Sequence, residues 1–405
     1  MKYPSTQMDY RDSPLEAAFR RDVRAWLEEH LPAFKERQAK SGSSQERLKI
    51  AADWQHELFE GGYGALGWSD EYGGREANSI EKYLVVEESA KLGAPWHLNM
   101  SITLGWCAPA IEVFGTAEQK VAHIAKMLEG KEIWCQMFSE PDAGSDLAAL
   151  KTSAVRDGEN YILNGQKVWS SGAHWSEWGI LLAKTSDEGK YRNLTFFIVD
   201  MNTPGIEVRP IKQMSGESDF CEIFFTDAVI PADCVVGTEG NGWTVAIATL
   251  LNERVALSAG AGAAVIAVQG LERLLELSKR LPYNGGVVAD DSYFRQKIAD
   301  IWIRAQANRL TAYRVLTAQF KGKTPGPEAS VLKLSGDLWT QDLADLAAEM
   351  LGTKISAMSG STLAEDDGNW STGVLWNRAL TIGGGTSEIQ KNIIAERVLG
   401  LPKGK

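Results

Sequence analysis

The sequence has few of the residues from which metal sites, disulfide scaffolds and nucleophile–histidine pairs are built. Its four cysteines are Cys107, Cys135, Cys221 and Cys234, and they lack C-x-x-C spacing. The five histidines are equally dispersed, so no metal-ligand pattern is present. No G-x-S-x-G segment occurs, which argues against a serine hydrolase. Unpaired thiols fit a reducing compartment, and we expect a cytoplasmic protein without a metal site.

The chain also lacks an excess of basic residues and any long apolar run. It carries 42 Lys and Arg residues against 53 Asp and Glu residues, a formal net charge of −11. An acidic balance argues against nucleic acid or an anionic membrane surface as the main partner. No apolar run reaches the roughly 18 residues that a membrane span requires. The opening MKYPSTQMDYRDSPLEAAF has the pattern of neither a secretory signal nor a transit sequence.

Helical patterns at both ends of the chain enclose a stretch of short strand patterns. Strands and helices do not alternate, which argues against a doubly wound parallel sheet. The predicted fold class is therefore multidomain α+β. We predict an N-terminal all-α domain at 1–130, a middle antiparallel β-barrel domain at 131–238 and a C-terminal helical bundle at 239–405.

Three local signals predict where particular elements begin or turn. Ser79 is the expected N-cap of the helix SIEKYLVVEESAKLG. The pair Asn164-Gly165, inside YILNGQKVWSSG, is typical of a β-hairpin turn. Ser387 and Gln390 have the spacing of a capping box, which predicts that a helix begins there.

Glu253 is the most informative charged residue of the segment LLNERVAL. On a helix its neighbours would be Thr249, Leu250, Ala256 and Leu257, none of which can neutralise a carboxylate. Burial on such a face would raise the pKa of the carboxyl, which suits a general base working near neutral pH. Two other interpretations are a glutamate at the edge of the apolar stripe and one paired with a distant arginine.

Two turn-rich stretches can present backbone N–H groups to a ligand. IGGGTSEIQKN, at 382–392, runs from three glycines into a helix, where Glu388 in the first turn suits the helix dipole. MFSEPDAGSDL, at 137–147, joins a strand-like run to a turn containing Gly144 and Ser145. Each stretch taken alone is also compatible with an ordinary structural turn.

Taken together, several segments resemble the signature segments of acyl-CoA dehydrogenases. They are MFSEPDAGSDLAALKT, NGQKVWSSGA, LNERVAL and IGGGTSEIQKNIIAERVLGLP, and they follow the order and approximate spacing of that family. The resemblance covers nearly the whole chain. It implies an FAD enzyme that oxidises an acyl-CoA thioester to a trans-2-enoyl-CoA, as in fatty-acid β-oxidation, and passes electrons to an electron-transfer flavoprotein.

The resemblance also implies roles for individual residues. Positions matching flavin contacts are Phe138, Ser139, Gly144, Ser145, Trp169, Ser171, Thr386 and Glu388. Gly144 and Ser145 also match the turn beside the acyl-CoA, and Thr386 and Glu388 match positions near the FAD diphosphate and adenosine. Arg254 matches an arginine that organises the substrate side.

The sequence departs from the family pattern at two places. Many members have the catalytic glutamate directly before the Gly-Thr of the C-terminal motif, where this chain has Gly384. A minority, resembling isovaleryl- and long-chain-type enzymes, has the base on the long helix after the β domain, at the position of Glu253. We therefore predict Glu253 as the base, with the N–H of Gly384 directed at the thioester oxygen.

The second departure is the lack of Arg-x-x-Phe-Gly after the long helix, which places FAD contacts across a subunit interface in doubt. The expected assembly is a homodimer or homotetramer, or a mixed complex of related chains. Two rival functions stay open, a flavin oxidase, monooxygenase or desulfinase of the same fold and a catalytically silent subunit. The acyl group, and the choice between CoA and acyl carrier protein, are not determined by the sequence.

Overall fold

The structure is a computed structural model, and it describes residues 12–254, 261–320 and 326–403. Its N-terminal part is helical. The helices there are α1 Pro14–Lys40, α2 Ser44–Glu60, α3 Ser79–Lys91, α4 Leu98–Ile102, α5 Ala108–Phe114 and α6 Ala117–Leu128. Asn78, and not the predicted Ser79, caps α3 because its side chain accepts bonds from the N–H groups of Ile80 and Glu81. Glu81 completes the capping box, one residue earlier than the sequence pattern indicated.

A curled β-sheet forms the middle of the molecule. Its strands are β1 Trp134–Met137, β2 Ser153–Asp157, β3 Asn160–Ser171, β4 Trp178–Lys184, β5 Leu194–Asp200, β6 Ile206–Ile211 and β7 Phe220–Pro231. The strand order is β1-β4-β2-β3-β7-β6, with β5 also paired to β4. Most pairs are antiparallel, but β1 and β4 run parallel, a feature that the prediction of an antiparallel barrel did not include.

The C-terminal part is again helical. Its elements are α7 Gly242–Arg254, α8 Ala261–Arg280, the short strands β8 Pro282–Tyr283 and β9 Gly286–Val287, α9 Ser292–Phe320, α10 Ala329–Leu351, α11 Asn369–Trp376 and α12 Ser387–Ile393. The predicted order of helical, β and helical parts is therefore confirmed. The residue numbers proposed for the boundaries stay a prediction.

The predicted hairpin turn at Asn164-Gly165 is wrong, because β3 continues through both residues. The pairing of β3 with β7 shifts register between Leu163 and Gly165, as in a β-bulge. The Asn164 side chain exchanges two 3.0 Å hydrogen bonds with Asp227. A Cβ on Gly165 would lie 2.6 Å from Thr152 Oγ1, so the glycine here permits a close approach of two strands.

Helix α7 joins the sheet to the C-terminal helices. It begins against β5, where a Cβ on Gly242 would lie 2.5 Å from the carbonyl carbon of Thr195. Val245 and Ala246 are fully buried in the core that the sheet shares with the N-terminal helices. At about 1.5 Å per residue, this 13-residue helix is roughly 20 Å long. Glu253 lies in its last turn.

Candidate active site

Glu253 and Gly384, which are far apart in sequence, meet in the structure. Glu253 is buried in the last turn of α7, with 5% of its surface exposed. Gly384 has a φ of +66°, in the left-handed region. A Cβ placed on Gly384 would lie 3.2 Å from Glu253 Oε1. The carboxylate therefore occupies the space next to the position at which many acyl-CoA dehydrogenases carry a glutamate.

The glycine turn is held in place by Gln390, which is fully buried. Its Nε2 donates to the carbonyl oxygens of Gly384 at 3.0 Å and Gly385 at 3.2 Å. The predicted capping box of Ser387 and Gln390 is wrong, because Thr386 is the N-cap and its hydroxyl accepts from Ile389 N–H. Gln390 is used to shape the turn instead. A glutamine on the apolar face of α12 was the only sequence signal for this role.

Lys333, on α10, is a second neighbour of the glycine turn that the sequence analysis missed. It is only 4% exposed, and its Cε would lie 3.0 Å from a Cβ on Gly384. Its ammonium group donates to Leu380 O at 2.7 Å and bonds to Asp337 one helical turn away. Burial raises the pKa of Asp337 to about 6, although the charge of Lys333 opposes that change. A buried cation and the candidate base therefore border the same Cβ position on Gly384.

Phe138, Ser139 and Trp169 are brought together in the β domain. Val168 N–H donates to Ser139 O at 2.9 Å and so ties the chain after β1 to β3. Phe138 is buried and Ser139 is partly exposed. Ser171, also partly exposed, follows on the same strand, and its carbonyl accepts from Asn99 Nδ2 at 3.1 Å. The two segments that carry the predicted flavin contacts are therefore adjacent in the β domain.

Trp169 has the features of a residue positioned for a ligand. Its φ is +63°, within the second register shift of β3, between Lys167 and Ser170. Its side chain is 59% exposed, although Val168 and Ser170 on either side are buried. A non-glycine residue in the left-handed region is energetically costly, and such backbone strain is often found at functional sites. The exposed indole is suited to stacking on a planar ring.

The remaining predicted residues lie around these two groups. Gly144 and Ser145 are exposed, and a Cβ on Gly144 would meet nothing within 4 Å. Packing inside the chain therefore does not explain this glycine. Thr386 is partly exposed, whereas Glu388 is exposed, with its carboxylate 3.9 Å from Lys391 Nζ. The side chain of Arg254 lies outside the described residues.

The site therefore consists of a β-domain group and a helical group. The described hydrogen bonds connect residues within each group, and none of them joins a residue of one group to a residue of the other. Helix α7 is the element that relates them, since it begins on the sheet and ends at Gly384. In the described part of the helical group, Ser387 Oγ and Gln390 Oε1 are buried without a hydrogen-bond partner. The exposed indole of Trp169 and the spare polar atoms fit a ligand with a planar ring and a polar chain.

Comparison with known proteins identifies the class of enzyme to which this arrangement belongs. The acyl-CoA dehydrogenase N-terminal domain matches residues 13–131, the middle domain matches 135–228 and the C-terminal domain matches 240–399. The chain belongs to the acyl-CoA dehydrogenase family, whose members bind FAD.

Individual relatives agree with this family assignment. The chain is 36% identical to acyl-CoA dehydrogenase IpdE1 of Mycobacterium tuberculosis over 392 residues, covering 95% of this chain and 97% of that protein. It is similar to the Tcur3481-Tcur3483 steroid ACAD, with a TM-score of 0.84, 26% identity and coverage of 98% and 100% of the two chains. It is also similar to the ChsE4-ChsE5 complex from Mycobacterium tuberculosis, with a TM-score of 0.83 and 29% identity. That match covers 98% of this chain and 100% of the other.

Two kinds of feature are absent from the described residues. No described helix is long and apolar enough to cross a membrane. Within the same residues, no group of three or more His, Cys, Asp and Glu side chains is arranged to hold a metal ion.

Proposed function

We propose that this chain catalyses the FAD-dependent α,β-dehydrogenation of an acyl-CoA thioester to a trans-2-enoyl-CoA, with Glu253 as the base. The observation that carries the proposal is the 3.2 Å separation between Glu253 Oε1 and the Cβ position of Gly384. That position is where many family members have the catalytic glutamate. A carboxylate supplied by α7 therefore acts in the space that a side chain at 384 would otherwise occupy.

Glu253 removes the α-proton of the thioester. The residue is only 5% exposed and its carboxylate borders the Cβ position of Gly384, so little water reaches it. A base that is held in place and shielded from water is effective without further reorganisation. FAD, when bound, supplies the acceptor for the β-hydrogen.

Gly384 assists by donating its backbone N–H to the thioester oxygen, where negative charge develops as the α-proton leaves. Gln390 binds the carbonyl oxygens of Gly384 and Gly385 and so fixes the two peptides that directly follow this N–H. A pre-oriented N–H donor of this kind stabilises a transition state by about 3 to 4 kcal/mol. The left-handed conformation of Gly384 serves this geometry.

The predicted contacts with FAD divide between the two groups. Phe138, Ser139, Trp169 and Ser171 would hold the flavin ring, and Thr386 and Glu388 would lie near the diphosphate and adenosine. Gly144 and Ser145 would border both the flavin and the acyl-CoA, and Arg254 would organise the substrate side. The spare atoms Ser387 Oγ and Gln390 Oε1 support the presence of a polar ligand next to Thr386.

We propose a steroid-derived acyl-CoA as the substrate and an electron-transfer flavoprotein as the electron acceptor. The named steroid ACAD supports the first part, since the present chain is similar to it over 98% of its length. Two of the structural relatives are complexes of two different chains, which supports a heteromer over a homodimer or homotetramer. On α9, the side chains of Trp302 and Ile303 are 51% and 60% exposed, as expected of a surface that contacts another chain.

The purified protein, alone or with a co-expressed related chain, is expected to be yellow and to lose flavin absorbance when an acyl-CoA is added without oxygen. A panel of steroid-derived, branched, aromatic and linear acyl-CoAs measures the preference. Reoxidation by oxygen should be slow and an external acceptor should accelerate it. Rapid reoxidation with formation of peroxide would contradict the dehydrogenase assignment, and a colourless protein would contradict the flavin assignment.

Trp169→Gly is expected to weaken FAD binding by about tenfold, because a stacked aromatic contributes about 0.5 to 1.5 kcal/mol. Stability of the FAD-free protein should change little, since glycine accepts a φ of +63° and more than half of the Trp169 surface is already exposed. Titration with FAD and thermal unfolding of the FAD-free protein measure the two effects. A variant that unfolds more easily but binds FAD normally would show that Trp169 has only a structural role.

A further inference from the structure

Lys167 is a buried cation between the two β-domain segments that carry the predicted flavin contacts. Its side chain is fully buried on β3, two residues before Trp169. The ammonium group donates to Phe138 O at 2.9 Å and to Glu140 Oε1 at 2.9 Å. Lys167 lies on β3, the strand that carries Trp169. From there it binds both the Phe138–Ser139 peptide and the nearby carboxylate of Glu140.

Glu140 extends these contacts to two further segments. Its carboxylate accepts from the backbone N–H groups of Lys151 at 2.6 Å and Thr152 at 2.8 Å. The backbone N–H and C=O of Glu140 exchange two hydrogen bonds with the backbone of Ala143, which precedes Gly144. The residues of this buried ion pair are thus bonded to the chain after β1, to the turn that contains Gly144, to the chain before β2 and to β3.

Both members of the pair are charged at neutral pH. Burial lowers the pKa of Lys167 to about 8, although the charge of Glu140 opposes this. Burial alone would raise the pKa of Glu140, but the charge of Lys167 and the bonds from Thr152 and Lys151 hold it below its ordinary value. A buried ion pair contributes little net stability compared with apolar residues of the same size. The distinctive property of this pair is that its directional bonds fix where the neighbouring peptides lie.

We propose that Lys167 and Glu140 are positioning residues for the flavin. The pair fixes the Phe138–Ser139 peptide and the strained backbone at Trp169 relative to one another, so that both segments are in place to receive the ring. This inference rests on the proposed FAD-dependent function. Lys167 and Glu140 set the affinity and orientation of the flavin, and neither is expected to touch the substrate.

The test compares Lys167→Met, Lys167→Arg and Glu140→Gln in the holoenzyme with Glu88→Gln as a matched control. Glu88 is also a fully buried carboxylate, but it pairs with Arg20 and Arg24 among the N-terminal helices. Each holoenzyme is titrated with urea and followed by flavin fluorescence for release and by circular dichroism for unfolding. Visible spectra, kcat and KM for acyl-CoA are measured in the molecules that retain FAD.

For Lys167→Met we expect release of FAD at lower urea than unfolding, and an FAD affinity about tenfold or more below that of the natural protein. The visible spectrum should shift, and kcat should fall about tenfold with KM for acyl-CoA nearly unchanged, because the base and the substrate contacts remain. Lys167→Arg should retain part of the FAD affinity, the normal spectrum and kcat that Lys167→Met loses. In Glu88→Gln, release and unfolding should move together and the spectrum should stay unchanged.

Equal shifts of release and unfolding in Lys167→Met, with a normal spectrum and normal kcat, would overturn the inference. If Lys167→Met does not fold, Glu140→Gln decides by the same comparison, since glutamine keeps an acceptor for the backbone N–H groups. A natural protein that binds no FAD would refute the proposed function, and that failure is visible before any variant is compared.

Discussion

Glu253→Gln is expected to bind FAD normally and to lose substrate-dependent bleaching of the flavin. Glutamine has nearly the same shape but cannot accept a proton, and a positioned general base accelerates proton transfer by about 10²- to 10⁴-fold. The rate of flavin reduction should therefore fall by about three orders of magnitude. Rapid mixing of the oxidised holoenzyme with acyl-CoA in the absence of oxygen measures this rate.

The control for this experiment is Glu276→Gln on α8, whose side chain is 69% exposed and pairs with Lys279. It removes the same charge from the C-terminal part without touching the glycine turn, and its reduction rate should be normal. Near-normal flavin reduction by Glu253→Gln would show that another group is the base. Loss of FAD together with activity would instead assign Glu253 a structural role.

Gly384→Ala is expected to reduce the rate of flavin reduction by about tenfold or more. A residue other than glycine in the left-handed region costs about 1 to 2 kcal/mol. In addition, the new methyl group would lie 3.0 Å from Lys333 Cε and 3.2 Å from Glu253 Oε1, so one of them must move. Displacing either the peptide or the carboxylate misaligns the site, and misplacements of about 1 Å can cost about 10²-fold in rate.

Gly383→Ala is the matched control, one residue earlier in the same turn. A Cβ there has Ala379 O as its nearest neighbour at 3.5 Å, an ordinary contact, and its φ is not positive. Activity and thermal stability should stay close to those of the natural protein. If Gly383→Ala and Gly384→Ala lower the rate equally, flexibility of the whole turn, and not the space beside Glu253, would explain the effect.

Much of the α–β–α architecture follows from local patterns in the sequence. Helical periodicity and dense β-branched segments report which elements form, because each must bury one face. Turn and cap signals were less reliable. Asn164-Gly165 reads as a hairpin turn, yet its glycine serves a close approach to Thr152 within a continuous strand. The alternative role depends on Thr152, which the fold brings against Gly165 from the chain before β2, so the chemistry of the dipeptide alone cannot reveal it.

The candidate site shows the same division. The helical face of LLNERVAL identifies Glu253 as unusual, but it gives no sign of Lys333, which reaches the same space from α10. Gln390 likewise matches a capping box in sequence, although in the structure it binds the carbonyls of the glycine turn. The flavin-contact assignments came from the resemblance to the family and stay predictions. Tertiary neighbours of a buried charge become visible only in the folded chain.

Exchange of the α-hydrogen of a bound acyl-CoA with deuterated water tests the central claim most directly. The measurement follows the proton transfer itself, separately from oxidation, and mass spectrometry of the recovered acyl-CoA reports it. The natural holoenzyme should incorporate deuterium at the α-carbon, whereas Glu253→Gln, with FAD and acyl-CoA bound, should incorporate essentially none. Exchange at the natural rate in Glu253→Gln would contradict the assignment of Glu253 as the base.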